Sequence, residues 1–145
     1  MILDDDRLSL LRDNAAFAIR EFSEASGAAI ALDRDSVAWV EGFIERMRLR
    51  YGDDGAPSGI ESVIGSFLGE AIIARAGGDW VSDDAGGIGV AFASGDTAYP
   101  FAKVTKQFDQ GSAAGESILS FYDVCVNFVA TGKLSEQARS SGGAA

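Results

Sequence analysis

The sequence predicts an α+β fold in which N-terminal helices pack on a small three-stranded antiparallel meander, followed by a C-terminal helix. Three observations predict it. Apolar residues recur at three- and four-residue spacing in the first half of the chain and again near its end. Between Gly78 and Phe101 the period drops to two. Short aspartate-glycine turns break that middle stretch, GDWVSDDAGGIGVAFASGDTAYPF, into strand-sized pieces. A chain of 145 residues fits one domain with a substantial core. We place that domain at residues 1–132 and a flexible, polar tail at 133–145.

The first helix is expected over Asp6–Ser26, where Leu8, Leu11, Ala15, Ala18, Ile19 and Phe22 share a face. Asp4, Asp5 and Asp6 complement its positive end, and Gly27 stops it. The second is expected over Ser36–Tyr51, capped by Asp35 or Ser36 and ended by Gly52. It carries one apolar stripe through Val37, Val40, Ile44, Met47 and Tyr51, and a second through Trp39 and Phe43. After the turn-rich DDGAPSG, the capping box Ser58-Gly-Ile-Glu61 opens a third helix with Ile60, Val63, Ile64, Phe67, Leu68, Ala71 and Ile72 on one side. Gly65 and Gly69 inside it each cost about 1 kcal/mol in propensity relative to alanine, so tight helix packing against them is expected. Gly77 and Gly78 terminate the helix.

The strands follow. Trp80 and Val81 begin the first, Ile88, Val90 and Phe92 mark the second, and Thr97, Tyr99 and Phe101 the third, with Pro100 placing the last at an edge or at its own end. Turns this short join antiparallel neighbours. The pattern weakens through AKVTKQFDQGSAAG, which has room for a helical turn. A final helix over Glu116–Thr131 carries Ile118, Phe121, Tyr122, Cys125, Phe128 and Val129, with Leu119, Val124 and Val126 widening the apolar surface. A face that wide belongs at the centre of a fold or against another chain.

Composition excludes whole classes of chemistry. Twelve basic against twenty-two acidic side chains give a net charge of −10, which repels nucleic acid and anionic membranes. The complete absence of histidine removes Ser-His-Asp and Cys-His catalysis and most transition-metal sites. Cys125 has no mate for a disulfide, the opening MILDDDRLSLL is acidic where a secretory signal is basic, and no apolar run reaches membrane-spanning length. A cytoplasmic, soluble protein is the expectation.

Of the residues that could carry chemistry, Asp79, Asp83, Asp84 and Asp96 could gather around a hard cation. Aspartate and glycine are equally what tight turns select, and the spacing lacks the alternation of a calcium loop, so the turn reading is favoured. The glycines of GGIGVAFASG lack the spacing of a dinucleotide loop and the lysine of a phosphate loop. Arg46, Arg48 and Arg50 form a basic cluster, either an anion or acidic-partner site or charge suited to a helix C-terminus. Lys103 and Lys106, just after Tyr99, form a second basic pair, with a solvated face as the plainer account. Cys125, Trp39, Trp80, Phe92 and Tyr99 default to core, and no serine has an activating partner. No catalytic residue, cofactor or metal is assigned.

Two segments, IGSFLGEAIIARAGGDWV and AYPFAKVTKQFDQG, carry Leu68-Gly69-Glu70, Gly77-Gly78-Asp79-Trp80-Val81, and Tyr99-Pro100 with Lys103 or Lys106. In these motifs the chain resembles a bacterial family known only as a domain of unknown function. The match covers residues 60–111, and two lysines stand where the family pattern has one strongly basic residue. The resemblance implies an α+β fold and no activity.

The functional expectation is therefore a non-catalytic protein–protein interaction module, similar in size and acidity to immunity proteins and secretion chaperones, with a protein partner and possible homodimerisation through wide apolar faces on the second and last helices. Its candidate contact residues are Arg46, Arg48, Arg50, Tyr99, Lys103 and Lys106. The alternatives are a cation-dependent enzyme on the turn aspartates, with Lys103 or Arg46 holding an anionic substrate, and a small-ligand pocket between sheet and helices.

Overall fold

The computed structural model describes residues 2–131. The fold is α+β: α1 (Asp5–Ser26), α2 (Arg34–Tyr51) and α3 (Ile60–Ala76) precede a meander of β1 (Asp79–Ser82), β2 (Ile88–Ala91) and β3 (Thr97–Ala98). Then come α4 (Pro100–Gln110) and α5 (Ile118–Val124), the latter running on as a π-helical turn, Cys125–Val129. The tail expected at 133–145 lies outside the described residues.

The helices start and stop where their backbone groups find partners. Asp4 caps α1, its carboxylate accepting from the Arg7 N–H at 2.8 Å, and Gly27 closes it at φ 72°. The cap of α2 is Asp33 rather than Asp35 or Ser36, its carboxylate accepting from the Ser36 N–H at 2.9 Å. Ser36 therefore sits inside the first turn, and its hydroxyl accepts from the Ala31 N–H at 2.9 Å. The capping box expected at Ser58–Glu61 does not form. Gly59 holds the cap position at φ 85°, a left-handed conformation that suits glycine, with no side-chain bond. Glu61 instead accepts from the Thr105 hydroxyl of α4 at 3.1 Å.

The centre of the molecule is α3, whose Ile64, Phe67, Leu68, Ala71 and Ile72 are wholly buried between α1 and α4. Gly65 and Gly69 do receive close neighbours: at Gly65 the expected helix packing brings in the Phe101 ring of α4, whereas at Gly69 the neighbour is the Trp80 ring of β1 rather than a helix. The two rings also meet, with centroids 5.8 Å apart. The indole Nε1–H of Trp80 donates to the Glu70 carboxylate at 3.1 Å, so segments of α3, β1 and α4 pack as one cluster.

In the sheet, ordered β1-β2-β3, Trp80 pairs with Val90 and Val90 with Ala98, both antiparallel, and Ile2 bridges Val81 on the outer side of β1. The third strand is shorter than the alternation predicts. It stops at Ala98, and Phe101 belongs to α4, because Pro100 takes the first helical position, where its missing N–H costs nothing. The stretch expected to hold a helical turn is thus an 11-residue helix.

The second apolar stripe of α2 is covered within the chain. Phe22 of α1 packs on Trp39 and Phe43 at centroid distances of 5.4 and 4.8 Å, and the Arg46 guanidinium lies 5.1 Å over the Trp39 ring. Among the described residues no helix is long and apolar enough to cross a membrane.

Candidate functional site

The turn from β3 into α4 aims Tyr99, Lys103 and Lys106 at one side of the molecule. Lys103 and Lys106 are a helical turn apart and share a face of α4. Opposite them stand Phe121 and Val124 of α5 and Val129 of the π-helical turn, enclosing a groove of about 360 Å³ with Cys125 at its floor. Tyr99 and Val124, which line this groove, expose 39% and 42% of their surface, unburied apolar area on both of its walls.

A polar clamp fixes the two helices that form the walls. Gln107 of α4 is fully buried and uses both ends of its amide: Oε1 accepts from the Ile118 N–H at 2.9 Å, and Nε2 donates to the Glu41 carbonyl at 3.2 Å and to the Glu45 carboxylate at 2.9 Å. Ser117 caps α5 by accepting from the Ser120 N–H at 3.0 Å, and its hydroxyl donates to the Glu41 carboxylate. Farther along α5, Asp123 takes a two-pronged bond from Arg34 of α2, both contacts 2.8 Å. This pairing holds the Asp123 carboxyl below its ordinary range.

The π-helical turn is itself pinned. The Ala130 N–H reaches back five residues to the Cys125 carbonyl at 2.9 Å, and the Ser94 hydroxyl donates to the Val129 carbonyl at 2.8 Å. Turns of this kind recur at functional sites, and this one widens the helix where it borders the groove.

The groove is locally positive on an acidic chain. Two of the three lysines in the sequence lie on it. Lys103 Nζ donates to Glu116 at 2.6 Å and holds that carboxyl below its ordinary value, while Lys106 is exposed and has no ion-pair partner among the described residues. Burial alone pushes the Cys125 thiol up to about 12, so the floor of the groove is a thiol and not a thiolate nucleophile.

The other predicted residues are placed elsewhere. Arg46, Arg48 and Arg50 do not converge: Arg46 stacks on Trp39, Arg50 lies 5.8 Å over the Tyr51 ring, and Arg48 donates to the Phe108 carbonyl at 3.1 Å and to Glu45 at 3.1 Å. Asp83 closes its own turn by accepting from the Ala85 and Gly87 N–H groups at 3.0 and 2.7 Å. Asp96 belongs to the next turn, where its N–H donates to the Ser94 hydroxyl oxygen at 3.4 Å, and Asp79 and Asp84 are exposed. Among the described residues no group of three or more carboxylate or thiol side chains is placed to hold a metal ion.

Sequence reasoning passed over Gln107, Glu41 and Glu45, which set the groove's geometry without lining it. The available signal was the spacing of Val104, Gln107 and Phe108, which puts the glutamine on the inward face of a helix. No family model, curated protein or solved structure matches this chain.

Proposed function

We propose that the protein is a non-catalytic, cytoplasmic protein–protein interaction module, of the accessory kind represented by immunity proteins and secretion chaperones, and that its contact surface is the groove between β3, α4 and α5. One observation carries this reading: Tyr99 and Val124, both partly exposed, line with Phe121 and Val129 a groove that also gathers Lys103 and Lys106 on an otherwise acidic chain. Aromatic and branched anchors beside a cationic rim suit an acidic, amphipathic segment of a partner protein, with its apolar side chains in the groove and a carboxylate on Lys106. Phe22 partly covers the Trp39–Phe43 stripe of α2, so the reading places association on α5. The unpaired thiol of Cys125 accords with a reducing compartment.

The test is chemical-shift mapping on isotopically labelled protein, with amphipathic peptides that differ only in acidic or basic flanks. The acidic peptide is expected to shift Tyr99, Ala102, Lys106, Phe121 and Val124, and Lys106→Glu is expected to weaken it roughly tenfold. Equal response to both peptides, or shifts centred elsewhere, would refute the reading. A concentration-dependent dimer that Val124→Glu dissociates would instead give this surface to a second copy of the chain.

A further inference from the structure

Away from the groove, residues of α1, α3, the β1–β2 turn, β2 and α4 line a second cavity, open to solvent, of about 400 Å³. That volume lies within the roughly 300–1,000 Å³ of small-molecule sites. Its apolar walls come from Leu11, Ile88 and Phe101. Its polar lining comes chiefly from Arg7, Asn14 and Ser62, a guanidinium, a carboxamide and a hydroxyl whose side chains make no hydrogen bond or ion pair among the described residues. On a chain with twenty-two acidic side chains, none of the described residues lining this cavity is acidic. In the adjoining β1–β2 turn, Asp83 turns one carboxylate oxygen to the N–H groups of Ala85 and Gly87.

We propose that this cavity binds a small amphipathic carboxylate, an aryl- or alkyl-carboxylic acid whose apolar body rests on Leu11, Ile88 and Phe101 and whose carboxylate is held by Arg7 and Asn14. A guanidinium presents a planar fork that matches both carboxylate oxygens, and the carboxamide and hydroxyl supply further donors without competing charge. Ser66, behind Ser62, is buried and has its hydroxyl committed to the Ser62 carbonyl at 2.8 Å, so the donors left open are those at the mouth. The Phe101 ring contacts Trp80, so a bound ligand perturbs an indole as well as the cavity wall.

The experiment titrates labelled protein with 4-phenylbutyrate and, separately, with the neutral 4-phenylbutyramide. Saturable shifts at Leu11, Asn14, Ile88 and Phe101 are expected with the acid, and weaker ones with the amide. Arg7→Gln, an exposed change, is expected to weaken the acid roughly tenfold and leave the amide where it was. Ser62→Phe, which fills the mouth from the solvent-facing side of α3, is expected to remove both while leaving thermal unfolding unchanged. The proposal is overturned by any of three results: no saturable shift with the acid at millimolar concentration, equal affinity for acid and amide, or an Arg7→Gln variant that binds the acid as before.

Discussion

The outer edge of the Trp80 indole lies against the α-carbon of Gly69, so that a Cβ at that position would clash with the ring carbons Cη2 and Cζ2. Gly69→Ala therefore sets two effects against each other: alanine gains about 1 kcal/mol of helix propensity, and the displaced indole loses its packing and its bond to Glu70. The steric term wins, because the obstacle is a buried, doubly held ring and not a flexible chain end. Chemical denaturation should show a net loss of about 1–3 kcal/mol.

Gly42 in α2 predicts the opposite sign for the same substitution. An added methyl there meets only the end of the Arg46 side chain, 3.2 Å away. Gly42→Ala should raise stability by about 0.5–1 kcal/mol, measured in the same denaturant series.

Gln107→Leu tests the clamp. The substitution keeps the volume but strands the buried Ile118 N–H, whose partner is the Gln107 amide oxygen. A loss of about 1–3 kcal/mol is expected, together with faster hydrogen exchange at Ile118 and along α5. Unchanged exchange in α5 would mean that other contacts hold the helix.

Acid should loosen α5 before the core. Arg34 lowers the carboxyl of Asp123 and Lys103 that of Glu116, from ordinary values of 3.8 and 4.5. Depressed carboxyl values contribute stability that is present above the unfolded values and lost as pH falls through the folded ones. The Arg34–Asp123 pair is largely exposed and the Lys103–Glu116 pair half-buried, so solvent screening keeps the first effect small, and Asp123→Asn should flatten the acid limb of a melting-temperature profile measured between neutral pH and about pH 3.

Cys125, buried and with its thiol pushed up to about 12, should react with iodoacetamide only as fast as the protein opens. At mildly alkaline pH the folded protein is expected to stay unlabelled while denatured protein labels readily. Rapid native labelling would show that the groove floor opens to solvent.

Much of this was legible in the sequence, and the failures have physical causes. The apolar spacing of α1, α2, α3 and the last helix marks those elements closely, and the Asp83 and Asp96 turns fall where aspartate and glycine cluster. The α4 helix was hidden because its inward face includes a glutamine, and because Thr97, Tyr99 and Phe101 alternate like a strand up to Pro100. Pro100 serves a helix start as well as a strand end, and local pattern does not choose between them. Arg46, Arg48 and Arg50 read as a cluster along the chain, yet a spacing of two on a helix turns Arg48 away from the other two, and Arg46 and Arg50, four apart, are each taken up by a ring, Trp39 and Tyr51. Tyr99, Lys103 and Lys106 do come together, since helical spacing follows the tyrosine directly. Asp33 wins the cap of α2 because it lies ahead of the helix, whereas Asp35 lies within it.

The bridge from Ile2 to Val81 has a bearing on how the protein behaves when concentrated. It covers part of one margin of the meander, and at the other margin β3 offers only two residues. A foreign strand seeking rungs to pair with finds a partly occupied ledge on one side and a stub on the other, so sheet-to-sheet stacking has almost nothing to template upon. Deleting the segment before α1 would bare the first margin, and fibrillar aggregation would be its signature.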